Sequence, residues 1–190
     1  MSSFVERRRA MIKEGEGCIP HMYLDTVGKV TVAVGQMLPT AAEAERLTFI
    51  RRDNGNQATD AEIRQDFEAV ARQTAGRVAA AYKQFTQLDM PEDAINALLD
   101  ARIEGFEAGL RRDFSDYDSY PDEAKLGLMD MAFNLGGTGL KKYAKMKAAL
   151  EKAVKSKAKE DWETAAKESH RNGIQSSRND AIYDWIAGGR

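Results

Sequence analysis

Two carboxylates, Glu16 and Asp25, carry the chemical reading of this 190-residue chain. Glu16 sits where a stretch with Phe4, Arg8, Met11 and Ile12 at helical spacing runs into Gly15 and Gly17. Asp25 lies in the following segment. There Val30, Thr31, Val32, Ala33 and Val34 favour strand, and Gly28 supplies a turn. A carboxylate at a helix end and another on an adjoining hairpin are what cleavage of a glycosidic bond needs. One, protonated, donates to the leaving oxygen. The other, ionised, activates water or stabilises an oxocarbenium-like transition state. Glutamate suits the acid, because partial burial disfavours its charge. In a chain with 30 Asp and Glu, such a pair also arises by chance on a solvated surface.

The elements that must position these groups are legible as patterns. Residues 4–14 read as a short amphipathic helix and residues 18–35 as a hairpin or three-stranded sheet, the only β signal in the chain. After Pro39 everything reads as helix. A short one at 41–52 is stopped by Asp53, Asn54, Gly55 and Asn56. Thr59 and Glu62 form a capping box, and Ile63, Phe67, Val70, Thr74, Val78, Ala81 and Phe85 then recur every three or four residues. That stripe predicts one long helix over about 60–85, able to join two lobes. Further helices are expected at 91–112, from Pro121 to Leu135, and around 143–154, 161–169 and 177–186, with 113–120 a loop. The fold class is α+β and mainly α.

Composition restricts the function classes. The chain is 43% hydrophobic and 31% charged, as in a soluble globular protein. No apolar run approaches the ~20 residues that cross a bilayer. The first residues lack the apolar core of a secretory signal, so delivery to a substrate outside the cytoplasm is expected to rest on another agent. The single Cys18 forbids an internal disulfide and reads as a small buried residue rather than a nucleophile. His21 reads as a surface residue with no catalytic part, and one Cys with two His argues against structural zinc. Residues 1–140 carry a net charge of -7 and residues 141–190 a net charge of +5. The basic end suits an anionic polymer or a solvated helix face. The Lys-rich 141–159 stretch interleaves acids and has only Tyr143 as an aromatic, so no nucleic-acid partner is expected.

The segment from Glu16 to Gly35 resembles the start of the T-even bacteriophage lysozymes, glycoside hydrolase family 24. Glu16, Gly17, Tyr23, Asp25, Thr26, Gly28, Thr31 and Gly35 fall on that family's register without a gap. The stretch Met131 to Gly139 is similar to the family's cleft segment, and the helices carrying Trp162 and Arg178 to its last two. The resemblance implies a single lysozyme-like domain over 1–190. A small hairpin lobe would span about 12–60, the long helix about 60–85, and a helical lobe about 86–190 with an inserted helix near 91–112. It implies a muramidase cutting the β-1,4 bond between N-acetylmuramic acid and N-acetylglucosamine in peptidoglycan, with inversion and no metal or organic cofactor. Glu16 would be the general acid, Asp25 its carboxylate partner, and Thr31 the holder of the attacking water. In an inverting enzyme the two carboxyls stand ~6.5–9.5 Å apart. Met37, Phe133 and Asn134 would line the sugar cleft. Tyr23 would support the site, and Arg178 would reach Glu16 and orient it. Glu14 competes for the acid role but does not match the register.

Relatives of this type act on the cell wall of a bacterium as phage endolysins, bacteriocins or secretion-system effectors, so a delivery apparatus or a periplasmic immunity protein is an expected partner, with the enzyme itself a monomer. The chain departs from the family in having Gln36 where a His is common, in the 91–112 helix, and in its slightly acidic balance. The competing expectation is a lysozyme-fold module that grips peptidoglycan without cutting it, and a lytic transglycosylase using Glu16 alone is a third.

Overall fold

The structure is a computed structural model and describes residues 2–136 and 139–188. It is mainly helical with a small antiparallel sheet, the α+β class expected. The chain divides into two compact units. An N-terminal unit comprises Ile12–Asp100, and a helical unit comprises Met1–Met11 with Ala101–Arg190.

In the N-terminal unit, the end of α1 (Phe4–Glu16) leads into β1 (Ile19–Leu24), β2 (Val30–Ala33) and β3 (Gln36–Met37). These pair antiparallel in the order β1-β2-β3. Tyr23 lies opposite Thr31 and Leu24 opposite Val30, while a bulge between Ile19 and Tyr23 shifts the register toward Ala33. Every residue of β2 is buried, so the sheet is covered at its centre and the short strands need no length of their own to be stable. A helix α2 (Ala41–Ala44) is capped by the Thr40 hydroxyl, which accepts from the Glu43 N–H.

Three sequence expectations are corrected here. The helix expected over 41–52 covers only α2, because Ile50–Arg51 (β4) pairs with Leu88–Asp89 (β5) in a second, two-stranded sheet. Two-residue strands carry no readable alternation, which is why the hairpin looked like the only β structure. The long helix expected over 60–85 is also absent. Thr59 and Glu62 make the capping box, but α3 ends at Ala71 (Asp60–Ala71). Gly76 then adopts φ +86, residues 74–78 are exposed, and the chain re-forms only a 3-10 helical stretch at Ala79–Phe85. Val78, counted in the apolar stripe, is 76% exposed. The stripe continued across Gly76 by coincidence of spacing. Tertiary bonds hold the break: the fully buried Tyr82 donates its hydroxyl to Thr74 O at 2.8 Å. Asp66 of α3, buried, accepts from Gln87 N and Leu88 N and so ties α3 to β5.

The long helix of the molecule is instead α4 (Glu92–Asp113), 22 residues and about 33 Å at 1.5 Å per residue. The division between units falls inside it, at residues 100 and 101. The helix expected near 91–112 is this element.

The helical unit adds a 3-10 turn at Tyr117–Ser119, α5 (Asp122–Leu135), another at Gly139–Lys142, then α6 (Ala144–Ser156), α7 (Lys159–Glu168) and α8 (Ser176–Ala187). Helix α5 is its centre, with an unbroken buried run from Leu126 to Phe133. It packs on α8 so closely that a Cβ on Gly127 would stand 2.9 Å from Ile186 Cγ1, which is why a glycine occupies that turn. Trp162 packs edge-on to Tyr120 at 6.3 Å, closing the core beneath α7.

Candidate active site

Glu16 is the last residue of α1 and is exposed. Gly17 follows at φ +81, a left-handed conformation that glycine adopts without a steric penalty, and turns the chain into β1. The helix end thus delivers a glutamate directly before the sheet that carries Tyr23, Thr31 and Met37.

Asp25 begins the turn between β1 and β2. Its backbone closes the turn: Asp25 N–H donates to Lys29 O at 2.9 Å, and Gly28 N–H donates to Asp25 O at 3.1 Å. Its Oδ1 accepts from Val27 N at 3.0 Å and from Lys29 N at 2.8 Å. This is the bonding by which aspartate fixes a turn, and it sets the orientation of the carboxylate. Gly28 completes the turn at φ +78.

Behind the turn, three expected residues form one row across the sheet. Tyr23 of β1 is opposite Thr31 of β2, and Thr31 is opposite Met37 of β3. Residues directly opposite in an antiparallel pair share a face. Thr31, at the centre, is buried and donates its hydroxyl to Lys29 O at 3.1 Å. Met37, on the outer strand, is 46% exposed. The Tyr23 phenol is pushed up chiefly by burial, with the nearby Asp25 charge adding to it, so it stays a neutral hydroxyl at working pH.

Two expectations about this segment change. His21 is buried, not on the surface, and its Nε2 lies 3.0 Å from Ala79 O. Cys18 is only partly buried, and that burial pushes its thiol up, as befits an unreactive cysteine.

The remaining expected residues lie in the helical unit. Phe133 stacks on Phe106 with ring centroids 4.4 Å apart. The Arg102 guanidinium lies 5.1 Å from the Phe133 ring and 6.0 Å from the Phe106 ring. Phe133 is 7% exposed. Asn134 is exposed, and its Oδ1 accepts from Arg171 Nη1 at 2.7 Å. Arg171 also donates to Asp130 Oδ2 at 3.1 Å, and Asp130 binds Arg178 through Nε and Nη2 at 2.9–3.1 Å. Asn134 and Arg178 are thereby joined through two residues that sequence reasoning missed, Asp130 and Arg171. Asp130 left a signal, an ionisable residue inside the apolar run of α5 one helical turn before Asn134. Arg171 left none. Burial pushes its guanidinium down from the usual range, Asp130 opposes that, and Arg178 adds to it. The expected segment 131–139 includes residues 137–138, which lie outside the described residues.

Among the described residues, no group of three or more His, Cys, Asp or Glu is placed to hold a metal ion, and no helix is long and apolar enough to cross a membrane. In comparisons with known proteins, the chain matches no family model and no curated protein.

Proposed function

We propose that this chain is a peptidoglycan hydrolase of the lysozyme kind, cutting the β-1,4 bond between N-acetylmuramic acid and N-acetylglucosamine. The observation that carries the reading is the Asp25 turn. It fixes one carboxylate by two backbone N–H bonds to Oδ1, on the hairpin that directly follows the helix ending in Glu16. The register Glu16, Tyr23, Asp25, Thr31 is the one the resemblance to phage lysozymes rests on.

In this mechanism Glu16 is the general acid and donates its proton to the glycosidic oxygen as the bond breaks. Asp25 acts as the carboxylate base and takes a proton from the water that attacks the opposite face of the sugar. Thr31 spends its own proton on Lys29 O, so its hydroxyl oxygen has lone pairs to receive a hydrogen from that water. The exposed Met37 offers apolar contact to a sugar ring. The Asp130–Arg171–Asn134 network steadies the Asn134 amide for hydrogen bonding. The substrate is the wall of a bacterium, reached with a delivery system or a holin. The basic 141–190 stretch favours approach to an anionic polymer.

The competing reading is a lysozyme-fold module that grips peptidoglycan without cutting it, in which the bonds that Asp25 Oδ1 accepts from Val27 N and Lys29 N serve the turn alone. A turbidity assay on purified peptidoglycan with wild type, Glu16→Gln and Asp25→Asn separates the two. The hydrolase reading requires clearing by wild type and loss by orders of magnitude in Glu16→Gln. Sedimentation with the wall without clearing identifies a binding module. A reducing end on the product distinguishes hydrolysis from lytic transglycosylation, which leaves an anhydro end.

A further inference from the structure

The second half of α4 carries a hollow that the proposed chemistry does not use. Its volume is about 290 Å³. Arg102, Gly105, Phe106, Gly109, Arg112 and Asp113 line it and recur at the three- and four-residue spacing of one helix face. Leu110, Ala132 and Leu140 complete its apolar wall. A second hollow of about 280 Å³ continues it past Arg112, Asp113 and Leu140 toward Lys141, Tyr143 and Lys147.

Two features mark this groove as a place for a ligand. The first is the pair of glycines in the interior of a long helix, where glycine is unfavourable. The fold does not require either. A Cβ on Gly105 would meet nothing within 4 Å, and one on Gly109 would make only an ordinary contact with Arg112 Nη2 at 3.7 Å. Their effect is to leave the hollow open. The second is charge. Arg102, Arg112, Lys141 and Lys147 border the two hollows; Asp113 lies 3.7 Å from Arg112 Nε, and Glu151, outside the lining, lies 3.9 Å from Lys147 Nζ. An apolar floor with a cationic border is complementary to an apolar chain with an anionic head.

We propose that this groove binds a single-chain acyl anion, its carboxylate between Arg112 and Lys141 and its chain along Gly105 and Gly109. The hollow has the volume of about ten water molecules at ~30 Å³ each, which admits a chain of about eight to ten carbons. This binding is independent of Glu16 and Asp25.

The test is isothermal titration of the whole protein with octanoate, decanoate and dodecanoate below their micellar concentrations. Decyltrimethylammonium is the control of opposite charge. The expected result is saturable one-to-one binding of decanoate, with affinity rising by up to roughly fourfold per added CH₂ until the hollow is full. The cationic control does not bind. Gly105→Leu fills the hollow and abolishes binding, and Arg112→Glu weakens it by roughly tenfold. Gly109→Leu serves as a second plug, and circular dichroism establishes that each variant is folded. Absence of saturable binding, equal binding of the cation, or unchanged affinity in folded Gly105→Leu and Gly109→Leu overturns the proposal. Sedimentation with phosphatidylglycerol vesicles in a protein that ignores free decanoate overturns the free acyl anion as occupant and makes a membrane lipid the ligand.

Discussion

Asp130 holds Arg178 by a side-on pair, with Arg178 Nε 3.1 Å and Nη2 2.9 Å from Asp130 Oδ1, while its Oδ2 also accepts from Arg171. One buried carboxylate thus compensates two guanidinium groups, one of them on a side chain only 2% exposed. Removing one member of a buried pair leaves an uncompensated charge, at a cost of about 3–5 kcal/mol. Asp130→Ala is expected to lower stability in urea by that order. Asp130→Asn keeps the shape and loses the charge, so it is expected to fall between Ala and wild type. Equal stability of Asp130→Ala and wild type refutes the role given to this network.

Asp25 combines a turn role with the proposed catalytic one, and two substitutions separate them. Asn retains an Oδ1 acceptor for Val27 N and Lys29 N; Ala retains none. Asp25→Asn is expected to keep stability near wild type, whereas Asp25→Ala loses about 1 kcal/mol. Loss of the general base costs roughly 10²–10⁴ in rate, and both variants are expected to show it. Thermal melts and the turbidity assay read the two effects separately. An active Asp25→Asn leaves Asp25 with the turn alone.

The capping box of α3 makes stability depend on acid. The Arg51 guanidinium, bonded to Glu62 at 2.7 Å, and the Thr59 N–H and hydroxyl hold the Glu62 carboxyl down to about 2, against an ordinary 4.5. A carboxyl depressed in the folded state contributes stability above its unfolded value and loses it as pH falls toward the folded value. The contribution of Glu62 is therefore present above about pH 4.5 and declines toward pH 2. Glu62→Gln is expected to flatten this part of the stability profile, measured by denaturation at successive pH values. The same slope in both proteins assigns the acid loss elsewhere.

Gly105 lies exposed in the interior of α4 with free space at its Cβ position. Gly105→Ala is expected to raise stability by about 0.5–1 kcal/mol, since alanine loses less backbone freedom in a helix. A rise in melting temperature checks this. A fall shows that the backbone at Gly105 meets a constraint of its own.

What the sequence determined by itself is what depends on neighbours along the chain. The capping box at Thr59 and Glu62, the helix following Pro121, the turn at Gly28, and the strand residues from Val30 all act within a few positions, and each appears where its local chemistry places it. The register of Glu16, Tyr23, Asp25 and Thr31 is equally a property of the linear chain.

Tertiary structure decided where local signals were weak or misleading. An apolar repeat crosses Gly76, but burial of Tyr82 and its bond to Thr74 bend the chain there, so α3 stops at Ala71. The β4–β5 pair is formed by residues 37 apart or more, and only the partner strand makes either segment extended. His21 is buried because the stretch at Ala79–Phe85 packs on β1 and offers Ala79 O to the imidazole. The Asp130–Arg171–Arg178 network joins two helices and a loop, and nothing in the spacing of those three residues declares that they meet. Side chains distant in sequence are brought together by packing, and only the folded chain shows which of them do.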